Sequence, residues 1–131
     1  MRFCLAVFCL FAATGCFLES PAAPAPVDQE LTLAPGESRP VGGASLTVTF
    51  AGVVGDNRCP ADALCVLGGS ATVRVQLAGP RGRQDVTFET GNLQPVKYDA
   101  FTLELVQLAP YPFSATTIRP EDYRATLRIT R

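Results

Sequence analysis

The chain predicts an all-β fold: an antiparallel β-sandwich of about seven or eight short strands with one local disulfide. Three observations carry this expectation. Beyond residue 28 the apolar residues recur at every second position, the period of a strand with one buried and one wet face. Glycine and proline number eleven each in 131 residues, and they separate the alternating segments at short intervals, where turns belong. No stretch of about eleven residues beyond the tether carries the 3.6-residue period of an amphipathic helix. A small closed β-barrel would show the same alternation and is the alternative. A chain of this length forms one domain with a modest core.

The N-terminus reads as an address. Arg2 supplies a positive charge, and residues 3–13 are uninterruptedly apolar. That run is too short for the roughly 20 residues a helix needs to cross a bilayer, and it has the form of a secretory signal. Ala13-Thr14-Gly15-Cys16 resembles the bacterial lipobox, with Ala13 where a larger aliphatic residue is usual. The resemblance implies that residues 1–15 are a lipoprotein signal peptide. It also implies that Cys16 is acylated, with palmitate-type chains holding an exported protein on the membrane. The plainer alternative is an ordinary cleaved signal with an incidental cysteine. Phe17 occupies the position where Asp signals retention at the inner membrane, which favours the outer membrane if the source is Gram-negative. Residues 16–27 then form a tether, because ESPAAPAPV over residues 19–27 favours extended polyproline-like chain. At about 3.1 Å per residue it would hold the domain on the order of 30 Å from the bilayer.

The folding unit is residues 28–131. Pro35-Gly36 and Gly42-Gly43 mark the first turns. Leu46, Val48 and Phe50 then alternate with Thr47 and Thr49, giving a half-buried strand that runs to about Val54. From Ala71, Val73, Val75 and Leu77 alternate with Thr72, Arg74 and Gln76. Gly79-Pro80-Arg81-Gly82 is a hairpin tip, with Arg81 and Arg83 as solvated charges. Val86 and Phe88 alternate with Thr87 and Glu89 before Gly91-Asn92. Phe101, Leu103 and Leu105 form the next apolar face, and the phase slips at Val106, which predicts a bulge or a strand end. The Ala109-Pro110-Tyr111-Pro112-Phe113 segment, whose Tyr111-Pro112 bond is a cis candidate expected to be trans, should fold its rings over the open end of the sandwich, with an exposed aromatic patch for a ligand as the alternative. Pro120-Glu121-Asp122 precedes the cleanest alternation, Tyr123, Ala125, Leu127 and Ile129 against Arg124, Thr126, Arg128 and Thr130, paired on at least one side. No internal repeat is present.

Five cysteines resolve as follows. Cys4 and Cys9 leave with the signal and Cys16 takes lipid, so Cys59 and Cys65 should be joined in an exported protein. A loop this short contributes about 2.4 kcal/mol on the chain-entropy estimate. Five intervening residues are unlike the two of dithiol oxidoreductases, which argues against a redox role. Asp56-x-Arg58-Cys59-Pro60, four residues, then Cys65-x-x-x-Gly69 resembles a D-x-R-C-P-x4-C-x-W-x-G pattern of small exported bacterial proteins and lipoproteins whose function is uncharacterised. Asn57 stands for a usual Ser, and Leu67 for the Trp. The resemblance implies an exported β-domain with one disulfide and implies no reaction.

Each residue of this loop has a structural and a functional reading. Structurally, Asp56 and Asn57 make a turn, Arg58 pairs with a carboxylate or loop carbonyls, Pro60 restricts the chain, and Gly68-Gly69 allow positive φ or close approach. Functionally, a closed loop presents Arg58, Asp62 and Leu64 to a partner, at a reduced entropy cost of binding.

Composition narrows the function. The chain has no His, which removes Ser-His and Cys-His nucleophile pairs and histidine-ligated zinc. Eleven Lys+Arg against twelve Asp+Glu argue against nucleic acid. No cofactor or metal is expected, since Asp56, Asn57 and Asp62 lack the order of a calcium loop. The favoured expectation is therefore a cell-envelope lipoprotein, monomeric and non-catalytic, acting as a structural or interaction module with an envelope protein partner. The alternatives are a protease inhibitor using the Cys59–Cys65 loop, and an enzyme working with carboxylates such as Asp56 and Asp62.

Overall fold

The structure, a computed structural model, describes residues 22–131 apart from Ala44 and Leu93. The expected signal peptide of residues 1–15, the expected lipidation of Cys16 and the first part of the expected tether lie outside the described residues. Eight strands are present among those described: β1 (Asp28–Leu33), β2 (Ser38–Val41), β3 (Leu46–Asp56), β4 (Ala71–Gly79), β5 (Gly82–Glu89), β6 (Val96–Tyr98), β7 (Phe101–Ala109) and β8 (Arg124–Thr130). They form two four-stranded sheets, ordered β1-β8-β7-β6 and β2-β3-β4-β5, with every pairing antiparallel. Two open sheets face to face make a sandwich and exclude the closed barrel.

The alternating residues form the core between the sheets. Leu46, Val48 and Phe50 of β3, Val73, Val75 and Leu77 of β4, Leu103 of β7, and Ala125, Leu127 and Ile129 of β8 are fully buried. Strand geometry explains this: successive side chains point to opposite faces, so one slip of register would expose the whole set. The phase slip near Val106 is a bulge between Leu105 and Gln107. It leaves Val106 half-exposed and returns Leu108 to the core. Strand β8 is paired on both sides, with β1 and β7.

The two longest connections share one end of the sandwich. At one end lie the tight β2–β3, β4–β5 and β6–β7 turns together with the chain entry. There Val27 and Arg131 exchange backbone hydrogen bonds, and the Arg131 guanidinium donates to the Ala25 carbonyl at 2.7 Å. At the other end lie the β3–β4 loop (residues 57–70) and the β7–β8 loop (residues 110–123). The segment before β1 therefore joins the sandwich at the end opposite the cysteine loop. The cis peptide of the β7–β8 loop is Ala109-Pro110, not the Tyr111-Pro112 bond considered from the sequence.

Candidate functional site

The cysteine loop is built on a charged base. Asp56 ends β3, and its carboxylate accepts from the Arg58 backbone N–H at 3.2 Å, from Arg58 Nε at 2.8 Å, from Arg58 Nη2 at 2.6 Å and from the Tyr123 hydroxyl at 3.0 Å. The same guanidinium donates to the Leu108 carbonyl at 2.8 Å and the Pro110 carbonyl at 2.9 Å, and lies 5.2 Å from the centroid of the Tyr111 ring. The Arg58 side chain is 5% exposed and that of Asp56 12%. A buried ion pair is stable only when its remaining hydrogen-bonding capacity is met. Here the carboxylate accepts four bonds and most guanidinium N–H groups have partners.

This geometry sets the ionisation of the cluster. The Arg58 guanidinium holds the Asp56 carboxyl below the usual carboxylate range, despite the opposing effect of burial, with the Arg58 N–H and Tyr123 hydroxyl adding to it. Asp56 in turn raises Arg58. Burial pushes the Tyr123 hydroxyl up, and its bond to Asp56 adds to the effect.

Above the base the loop is closed twice. Cys59 and Cys65 form a disulfide with Cα atoms 6.0 Å apart, and Cys59 N–H donates to Gly68 O at 2.9 Å. Gly69 crosses directly beside the incoming chain. It has φ +63°, and a Cβ built on it would lie 1.7 Å from the Asn57 carbonyl oxygen. Only glycine fits there. The Pro60 carbonyl accepts the Ala63 N–H at 3.1 Å, forming the turn that leads to the tip.

The β7–β8 loop buttresses this one. Ala61 N–H donates to Pro112 O at 2.9 Å, and Asp62 accepts from the Ser114 N–H at 2.8 Å and hydroxyl at 3.0 Å. The Ser114 N–H holds the Asp62 carboxyl below its ordinary range. Asp62 is thus a strut between loops, and Asp56 is bound to Arg58 and Tyr123, so the two carboxylates do not converge on a common site. Among the described residues no cluster of three or more potential metal ligands occurs.

The tip reverses the usual distribution of polarity. Leu64 is 105% exposed, Val66 101% and Leu67 83%, and Tyr111 and Phe113 beside them are half-exposed. The remaining large apolar side chains exposed among the described residues are Val54, just before Asp56, and Val106 at the β7 bulge. A cleft of about 320 Å³ lies below the tip, lined by Arg58, Gly69, Leu105, Val106, Leu108 and Tyr111, with residues 90–92 on its far side.

The structure thus divides the residues singled out in the sequence. Asp56, Arg58, Pro60 and Gly69 build the scaffold, Asp62 joins the two loops, and Leu64 stands at the surface. Arg58 is not presented to solvent, because its charge is held inside by Asp56 and two carbonyls. The rings of Tyr111 and Phe113 do not fold over the end of the core as expected. Tyr123 and the Arg58 cluster occupy that end, and the β7–β8 loop leans on the cysteine loop instead. Sequence reasoning placed Tyr123 in the final alternation without its bond to Asp56, and passed over Ser114 and Val66. The signal for the tip was an apolar Ala63-Leu64-Cys65-Val66-Leu67 run inside a loop, with no partner face to bury it. No family model, curated protein or solved structure matches the chain, so the D-x-R-C-P resemblance rests on residues 56–69 alone.

Proposed function

We propose that the protein is a non-catalytic interaction module of the bacterial cell envelope, anchored through lipid on Cys16 and binding through the tip of the two buttressed loops. One observation carries this reading: the large apolar side chains that remain exposed gather on the segments meeting at one end of the sandwich. Leu64, Val66, Leu67, Tyr111 and Phe113 together expose on the order of 700 Å², above the roughly 300–600 Å² of the largest patch on an ordinary monomer. The disulfide, the Asp56–Arg58 base and the Asp62–Ser114 strut hold that patch in one shape, which lowers the entropy lost on binding. A non-catalytic role is supported by the lack of histidine in the chain and by the engagement of both loop carboxylates with neighbouring groups.

The test replaces Leu64 and Leu67 with Asp in the exported protein. The variant is expected to keep the wild-type urea midpoint and to reproduce the envelope defect of a gene deletion or of Cys16→Ser. A variant indistinguishable from wild type in cells, or robust turnover of any substrate by the purified protein, would overturn the reading.

A second reading follows from the exposure of Leu64 within a disulfide-closed loop: a protease inhibitor that offers Leu64 to the cleft. Burial of Arg58 moves the contact residue from Arg58 to Leu64, and hence the target from trypsin-like to chymotrypsin-like enzymes. Stoichiometric inhibition lost in Leu64→Asp would establish it, and a negative protease panel would remove it.

A further inference from the structure

Resting on the reading of the loop end as a contact surface, we propose that its partner is a second copy of this chain, docked loop end to loop end about a two-fold axis. The surface carries both halves of such a contact. Leu64, Val66 and Leu67 are knobs, exposed almost completely. Gly69, two residues after Leu67, begins the wall of the 320 Å³ cleft whose apolar lining is Leu105, Val106, Leu108 and Tyr111. A knob and a hole side by side on one surface form an isologous contact, in which each copy fills the other's cleft. The cleft has room for a leucine side chain.

Area and charge agree with this occupant. Two faces of on the order of 700 Å² each would bury about 1,400 Å², within the roughly 1,200–2,000 Å² of specific interfaces. Across residues 59–69 and 110–118 the one acidic or basic side chain is Asp62, and Ser114 occupies it; in the rest of the β7–β8 loop Arg119 pairs with Glu121 and Asp122. Two copies therefore meet without like-charge repulsion.

The experiment places a photo-activated benzophenone amino acid at position 67 of the full chain, in intact cells expressing two differently tagged copies. A band of twice the chain mass carrying both tags is expected. The knob variant Leu64→Asp and the hole variant Val106→Asp alter exposed side chains and leave the fold intact, as the urea midpoint will show. Each should lower the crosslinked fraction about tenfold or more. Co-expressing the two variants restores one of the two knob-into-hole contacts, so the mixed pair should crosslink several-fold more than either variant with itself. A band that persists in both variants, or no recovery in the mixed pair, overturns the two-fold contact. Crosslinks solely to other proteins overturn the self-contact and leave the interaction module standing. A tip that crosslinks to nothing removes both.

Discussion

The base and the tip of the cysteine loop lie within a dozen residues of each other and invert each other's chemistry. At the base, Asp56 and Arg58 are charged and buried. At the tip, Leu64, Val66 and Leu67 are apolar and exposed. Folding alone favours neither arrangement, since burying charge costs several kcal/mol per ion before pairing and exposing leucine forgoes about 1.5–3 kcal/mol of burial. The difference shows that the base holds the loop through groups that depend on one another, while the tip contributes no burial to the fold. Substitutions should separate the two regions cleanly.

The largest effect belongs to the base. Arg58→Ala leaves Asp56 buried without its cation and should cost about 3–5 kcal/mol, read as a fall in the urea midpoint. A loss below about 1 kcal/mol would mean that the pair is far better solvated than its burial indicates. Gly69→Ala comes next: its Cβ meets the Asn57 carbonyl, so the crossing must open, at about 2 kcal/mol or more. The double variant Cys59→Ser/Cys65→Ser removes the staple between the regions and should cost about 2.4 kcal/mol. It should also shorten the lifetime of the closed tip in proteolysis.

Tyr123→Phe deletes one charge-assisted bond to Asp56 and should cost about 1.5–3 kcal/mol. It also sharpens the pH dependence. Asp56 is held below its ordinary value of 3.8, so its contribution is complete above that pH and is lost as pH falls through the folded value. Tyr123 is raised above 10.0, so its contribution is complete below that pH and is lost as pH rises through the folded value. Urea midpoints should therefore hold from about pH 5 to 9 and decline on both sides. The alkaline decline should shrink in Tyr123→Phe. The smallest effect belongs to the tip: Leu64→Ser should change stability by no more than about 0.5 kcal/mol. A clear loss there would show that the tip contributes to the fold and would blur the contrast.

Which elements were legible in the sequence follows from the same physics. Strands β3, β4, β7 and β8 alternate strongly, because each has a run of residues in the core, and the bulge at Val106 appears as a slip of that phase; the edge strand β5 shows the period only in its second half, through Val86 and Phe88. Strands β1, β2 and β6 lie at sheet edges and were marked only by the turns around them. Their burial patterns, mostly exposed with one or two inward residues, give period two too little to act on. Pro40 within β2 is compatible with an edge and weakens the strand signal further. At the site, the Cys59–Cys65 bridge and the Arg58–carboxylate pairing were readable because both are local. The Tyr123 and Ser114 contacts were not, since each joins positions more than fifty residues apart.

By itself, then, the sequence determined the all-β class, the inward face of the strongest strands, the disulfide and the polarity of the loop base, all consequences of neighbours one to six residues apart. Only the tertiary structure decided that the sheets remain open as a sandwich and that the segment before β1 joins it at the end opposite the two long loops. It alone placed the β7–β8 loop against the cysteine loop, leaving Leu64, Val66 and Leu67 outside. Those outcomes depend on which distant segments meet, and the pairing of distant segments is fixed by shared burial across the whole core.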